Sequence, residues 1–361
     1  MLLAALVVGE EPDGAYTEAD FLSRVRRLTY EGVRAGEGYF SPDGSRMVFQ
    51  SEREEGNPFY QIYEMDMNSG ETRRVSPGYG KSTCPFIQPG TDNVLFGSTH
   101  HDPRSLELQR EELEIRASGQ ERRYAWDYDP EMELYTEQSG SGELVRLTHV
   151  RGYDAEASYS PDGEWIVFTS TRDAYNRELT EEEQELLALN PSTFGEIYIM
   201  RADGSAQTRL TDVDGYDGGP FFFPDGSRII WRRFDEEGLI ADIWSMKPDG
   251  SDQRQLTDFG SMSWAPYVHP SGEYVLFASN KLGFSNFEVF MVDVEGTRRP
   301  VQVTYTDGFD GLPVPLPSGD SMAWTSNRLG GKGQIYLGEW NHAKALEALA
   351  ASPLRERGTE Q

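Results

Sequence analysis

Asp154, Asp217 and Asp310 each stand six residues before a recurring Pro/Gly turn, and Glu37 and Glu156 stand four before the same turn. Carboxylates kept in register with a repeat meet at the axis if the repeat closes into a ring. There they repel one another unless a proton or a cation intervenes. Hard oxygen donors, joined by carbonyls of a Gly-rich backbone, suit Ca2+ or Mg2+ better than zinc. These five residues form a candidate calcium site, with Mg2+ as the second candidate ion. Two other readings stand beside it. Each Asp caps its own loop by accepting from backbone N–H groups, or the carboxylates are catalytic.

A second register runs four residues past the aromatic that closes a strand: Arg53, His100, Arg172, Asp235, Lys281 and Arg328. Five of these six can be basic. They either pair with the acidic ring or bind an anionic ligand such as a chain-terminal carboxylate. Arg53, His100, Arg172, Lys281 and Arg328, with the aromatic Trp264, are therefore candidate ligand-binding residues. His100-His101-Asp102, followed by Glu111, Glu112 and Glu114, is the most metal-like run. Adjacent His side chains cannot share a face in strand or helix, and a zinc site needs two or three at defined spacing. Tyr124, Trp126 and Tyr128, beside Arg122 and Arg123, either anchor a peptide or sugar or pack an insertion onto its surroundings. The sequence has no G-x-S-x-G elbow, Walker-type phosphate loop or dinucleotide fingerprint.

Positioning these residues requires a repeat, and the sequence has one. Ser41-Pro42-Asp43-Gly44 recurs as Ser160-Pro161-Asp162-Gly163, Phe223-Pro224-Asp225-Gly226, His269-Pro270-Ser271-Gly272 and Leu316-Pro317-Ser318-Gly319, with Gln88-Pro89-Gly90 a worn copy. Pro presets φ for the first turn position and Gly supplies the positive φ that follows, so each copy reverses the chain between two strands. Period-2 runs follow each turn. A second strand reads like 166–170 (IVFTS), a third like 196–200 (EIYIM) and a fourth, after an Asp-Gly turn, like 208–211 (TRLT). Turn positions 41, 88, 160, 223, 269 and 316 give a base period of about 46, and four strands at that period make a propeller blade. Two longer gaps place insertions at 100–130 and 173–194, the second with a helix over 180–189 that Thr180 caps. The sixth unit lacks a fourth strand, while 25–29 (VRRLT) matches that strand and has no blade of its own. The expectation is an all-β, six-bladed propeller of four-stranded blades over 23–340, a single domain closed by its N-terminal strand. An extension over 1–22 precedes it, and a tail over 341–361 begins as a short helix.

Net charge is −28, from 61 acidic against 33 basic residues, which argues against a nucleic-acid partner. Arg supplies most of the positive charge, and an acidic, Lys-poor composition points to a salt-adapted, halophilic source or to a high-GC one. Cys84 stands alone, so no internal disulfide or cysteine zinc cluster is expected. No run approaches the ~18 apolar residues of a membrane span. The apolar 1–8 (MLLAALVV) reads either as the remnant of a signal peptide lacking its basic leader or as an ordinary disordered start.

The cycle SPDG, IVFTS, EIYIM, DGS, TRLT resembles the repeat of TolB-type propellers, over roughly residues 23–340. The longer phrases GYDAEASYSPDG, GYDGGPFFFPDG, SMSWAPYVHPSG and DGFDGLPV resemble a subgroup often found beside a zinc aminopeptidase domain, and no such domain is expected within this chain. The resemblance implies an extracytoplasmic protein, periplasmic or secreted. It implies a non-enzymatic binding module for a peptide, protein or glycan held over the channel mouth, or one whose partner is a separate peptidase chain. The expectation from a different class is a metal-dependent hydrolase or lyase that uses the channel carboxylates. Fold alone does not choose between them.

Overall fold

The computed structural model describes residues 16–119, 128–138 and 140–356. They form six four-stranded antiparallel sheets arranged as the blades of a propeller. Blade 3 shows the plan, with Asp154–Tyr159 innermost, then Trp165–Ser170, Glu196–Arg201 and the short outer strand Thr208–Arg209. The innermost strands of the other blades are Arg34–Phe40, Ser82–Ile87, Asp217–Phe222, Ser263–Val268 and Asp310–Pro315. The outer strand of blade 6 is Leu22–Arg27, paired with Gln334–Trp340 so that Leu22 faces Trp340 and Arg27 faces Tyr336. The N-terminal segment thus closes the ring, as its sequence indicates.

Second strands such as Val94–Ser98 and Tyr274–Ser279 are buried along their whole length. Both faces of a blade pack against neighbouring blades, so these strands read as apolar runs rather than as alternating ones. The tight turns hold the blades in step. At Gly163 the backbone has φ +72°, and a Cβ there would lie 2.6 Å from the Pro89 carbonyl oxygen of blade 2, so both conformation and contact require glycine.

Each blade is an antiparallel meander. The turns after its first and third strands therefore lie on one face of the disc. Loops after the second strand, and those leading to the next blade, lie on the other, which we term the loop face. Both insertions issue from the loop face. The first contains a helix, Ser105–Ala117, beyond the one helix expected over 180–189. The second contains Glu181–Leu189, capped as expected: Thr180 Oγ1 accepts from the Glu183 amide at 3.2 Å, and Glu183 accepts from the Thr180 amide at 2.8 Å. Residues 122–126 of the aromatic cluster lie outside the described residues. Tyr128 packs edge-on to Tyr153 and Tyr216, at ring separations of 5.0 and 5.4 Å. Helix His342–Ala351 buries Ala345, Ala348 and Leu349 in a cluster with Phe21, Tyr274 and Trp340.

One local feature repeats in every blade. The pairing of each innermost strand with the second slips at Gly36/Tyr39, Thr83/Phe86, Ala155/Ser158, Gly218/Phe221, Trp264/Tyr267 and Gly311/Val314. At each slip one residue adopts a left-handed conformation: Glu37, Cys84, Glu156, Gly219, Ala265 and Leu312, with φ between +50° and +61°. These are β-bulges, which re-aim a side chain at the cost of local strain.

Candidate functional site

The six bulge residues line a single cavity on the axis, together with Tyr39, Phe221, Arg232 and Trp264 among its walls. The volume in which the centre of a water molecule can move is about 30 Å3, room for about two waters. An aromatic layer closes the turn side. Tyr39 packs on Phe86, Phe221 and Tyr267 with ring centroids 5.5, 5.4 and 6.1 Å apart.

Glu156 and Arg232 dominate its polar wall. Glu156 Oε2 accepts from Tyr216 Oη at 2.6 Å, the Gly219 amide at 2.7 Å and Thr169 Oγ1 at 3.1 Å. Arg232 Nη2 donates to Glu156 Oε1 at 2.9 Å and to Tyr216 Oη at 2.8 Å. The glycine pair makes this possible. A Cβ on Gly219 would fall 2.1 Å from Arg232 Nη1, and one on Gly218 would fall 2.2 Å from Tyr216 Oη. On the opposite wall Glu37 accepts from Tyr39 Oη at 3.2 Å and from Cys84 Sγ at 3.6 Å. Burial, with the Glu156 charge adding to it, pushes the Glu37 carboxyl up to about 7 against those two donors. Burial likewise holds the Cys84 thiol well above its ordinary value, so it is a thiol and not a nucleophilic thiolate.

The structure divides the five expected calcium ligands. Glu37 and Glu156 line the cavity, while Asp154, Asp217 and Asp310 do not. Each Asp is buried and committed to an arginine of its own blade. Asp154 Oδ2 pairs with Arg172 Nη2 at 2.5 Å, and Asp217 takes both Nε and Nη2 of Arg233 at 2.8 and 2.7 Å. Asp310 Oδ2 meets Arg328 Nη2 at 2.7 Å, and its Oδ1 accepts from Trp324 Nε1 at 3.3 Å. With one oxygen or both held by a guanidinium group, and the others taken by Ser170 and Trp324, the three Asp do not fit a calcium or magnesium ion. Among the described residues no group of three or more His, Cys, Asp or Glu is placed to hold a metal.

The basic register is built into the blades too. Arg53 lies over Tyr63, Arg172 over Phe168 and Tyr198, and Arg328 over Trp324, at 4.4 to 5.2 Å from the ring centroids. Blade 4 supplies the same clip from Arg233, over Trp244 at 4.7 Å, two residues before the expected position. His100 packs on Tyr135 at 4.4 Å, and burial lowers its pKa to about 4, so at neutral pH it carries no charge to offer an anion. Lys281 is exposed and lies over Phe259 at 4.8 Å. Of the expected ligand-binding residues, only Trp264 lines the cavity.

Arg232 and Tyr216 are site residues that the repeat arithmetic passes over. Their signal lies in departures from the repeat. The second strand of blade 4 reads IIWRR where the others carry small or neutral residues beside the aromatic, and its bulge position is the one glycine among the six.

A closed six-bladed propeller with a plugged axial cavity defines the class of this protein, and its architecture is that of the TolB-type propellers. No protein-family model matches the chain. A stretch of 109 residues, 30% of the chain, is 38% identical to an uncharacterized protein of Agrobacterium fabrum and spans 31% of that protein. A TolB-type protein of Agrobacterium tumefaciens superposes with a TM-score of 0.59 at 20% identity, over 88% of this chain and 93% of that one. An oligogalacturonate lyase in complex with manganese superposes with a TM-score of 0.54 at 15% identity, over 91% and 96% of the two chains. At these identities the structural likeness is one of fold.

Proposed function

We propose that this chain is a non-enzymatic, TolB-like binding propeller that holds a polypeptide on its loop face. The observation supporting this is where its exposed apolar side chains lie. Among the described residues, every large exposed hydrophobic except Val25, Val145 and Leu354 sits in a loop or insertion that issues from the loop face. Six of them follow one another around the rim of blades 5, 6 and 1, three of the four blades without insertions: Leu282, Phe284, Tyr305, Leu329, Tyr30 and Val33. Phe284 and Leu329 are each 73% exposed, and Tyr30 is 70% exposed. Apolar side chains left in water around one face suit a partner surface. The aliphatic Leu282, Leu329 and Val33 give a sugar neither hydrogen bonds nor a ring to stack on but bury well against apolar side chains, which favours a polypeptide over a glycan.

The hydrolase or lyase reading has less support. Four of the five carboxylates it would use are held by Arg172, Arg232, Arg233 and Arg328. The likeness of fold to TolB proteins supports an extracytoplasmic location. Among the described residues no helix is long and apolar enough to cross a membrane.

Panning a random-peptide display library against the full chain, with a glycan array in parallel, tests the proposal. Peptides rich in apolar residues should bind, and Phe284→Asp with Leu329→Asp should weaken them by about tenfold or more while leaving the melting temperature unchanged. Binding of glycans alone, or peptide binding indifferent to the double substitution, would overturn the proposal. So would turnover of glycoside, lactone or peptide substrates by the purified chain with Mn2+ or Ca2+ supplied.

A further inference from the structure

Where blade 5 meets blade 6, Phe287 and Phe309 form a parallel bridge, and the Asp310 amide donates to the Phe287 carbonyl at 2.8 Å. The residues that follow them, Glu288 and Asp310, therefore stand side by side, 1% and 0% exposed. The same backbone contact sets Glu133 beside Asp154 and Glu196 beside Asp217 at the seams of blades 2 and 3 and of blades 3 and 4. Those two seams are balanced. Arg146 and Arg209, on the fourth strands, pair with Glu133 and Glu196 at 2.7 and 2.6 Å, and Arg172 and Arg233 hold the two Asp. Blade 5 has Gln302 at the fourth-strand position, and its amide donates to the Thr304 carbonyl at 2.7 Å. Glu288 accepts from neutral donors instead, the Thr304 hydroxyl at 2.6 Å and the Thr306 backbone.

A third carboxylate enters this seam from the N-terminal segment. Glu18 pairs with Arg328 Nη1 at 2.7 Å, while Arg328 Nη2 holds Asp310 at 2.7 Å. Three carboxylates thus meet at a seam that holds one guanidinium. The groups around them do not restore the balance. Burial keeps Tyr305 and Tyr336 protonated, and Arg27 is turned to the Thr29 carbonyl and the Tyr30 ring. Asp20 is bonded to Thr17, and Lys344 pairs with Glu347. Burial, with the charges of Asp310 and Glu18 adding to it, pushes the Glu288 carboxyl up to about 7.

We propose that the closure of the ring is a proton-sensitive latch, tightened in mild acid by a proton held on Glu288 and loosened toward neutral pH when three charged carboxylates share one guanidinium. Glu18 is the carboxylate that can leave, because it is half-buried on a four-residue helix outside the sheets, whereas Glu288 and Asp310 are fixed in strands of their blades. The closed seam binds the Glu288 proton more tightly than the opened one, so closure is strongest below about pH 4.5 and weakens as the pH rises through 7. Opening draws Leu22–Arg27 away from blade 6 and bares the edge of Gln334–Trp340.

Hydrogen exchange of the full chain from pH 5 to pH 8, read as protection factors so that the intrinsic pH dependence cancels, tests the latch. Protection of Leu22–Arg27 should fall by about tenfold or more over that range, and that of Tyr274–Ser279 by less. Two variants locate the effect. Glu288→Gln stands in for the protonated acid, so it should lie within a few-fold of the wild type at pH 5 and exceed it by about tenfold or more at pH 8. Gln302→Arg supplies the guanidinium that blades 2 and 3 have and should flatten the profile with Glu288 still in place. Glu196→Gln, at a balanced seam, should leave the protection of Leu22–Arg27 as in the wild type. Equal falls in Leu22–Arg27 and Tyr274–Ser279 would mean that the whole fold opens and would overturn the proposal. So would a wild-type profile that is flat, one that both Glu288→Gln and Gln302→Arg leave unchanged, or one that Glu196→Gln flattens as well as they do.

Discussion

Asp217 is fully buried, and both its oxygens meet Arg233, whose guanidinium in turn lies over Trp244. Removing water from two charges is expensive, and their attraction repays it only while both are present. Asp217→Ala strands the guanidinium and should cost about 3 kcal/mol, a fall of about 5 °C in the melting temperature of a chain this long. Arg233→Met added to Asp217→Asn removes both charges and should recover most of that loss, a contrast visible in paired thermal melts. The same clip recurs in blades 3 and 6, so neither EDTA nor added Ca2+ should move the wild-type midpoint. A calcium-dependent rise of several degrees would return the Asp residues to the role of ion ligands. The sequence places Asp154, Asp217 and Asp310 correctly in register, because register follows from the repeat. It cannot show where each side chain turns, since that depends on a partner 16 to 18 residues away across a strand pair.

The strand order of every blade is legible from the turn chemistry and the period-2 runs, and the cap of Glu181–Leu189 is legible from Thr180 and Glu183. Helix Ser105–Ala117 is not, because it lies on the surface with only Ser105 and Gln109 buried and has no apolar stripe to announce it. The bulges escape the sequence for a different reason. Non-glycine residues occupy five of six left-handed positions, so the usual glycine signal is missing. Packing of the inner strands around the axis imposes the conformation and stores strain of about 1 kcal/mol or more per site. Ala265 has φ +50° and only a methyl group to lose. Ala265→Gly, which weakens an ordinary strand by roughly 0.5–1 kcal/mol, should here leave stability unchanged or raise it by up to about 1 kcal/mol. Denaturant midpoints measured with the m-value held constant decide the sign. A loss near 1 kcal/mol would mean that the bulge is unstrained.

At the scale of the whole molecule, stability depends on a seam between the two ends of the chain. Leu22–Arg27 is the outer strand of blade 6, and without it Gln334–Trp340 presents an open row of backbone donors and acceptors. Such an edge recruits another chain unless it is covered. The seam is fastened beyond its hydrogen bonds. Phe21 is fully buried and stacks on Trp340 at 6.1 Å, and Arg328 Nη1 pairs with Glu18 at 2.7 Å while its Nη2 holds Asp310. A chain lacking residues 1–27 loses the burial of Phe21 and Leu22 and the pairing of the last blade together. The melting temperature should fall by on the order of 10 °C, and light scattering should show association that grows with concentration. Placing the same segment after the tail through a flexible linker keeps the pairing local to blade 6 and should restore a monomer. If the truncated chain instead stays monomeric with an unchanged midpoint, the ring is held by blade-to-blade packing alone and the seam is dispensable.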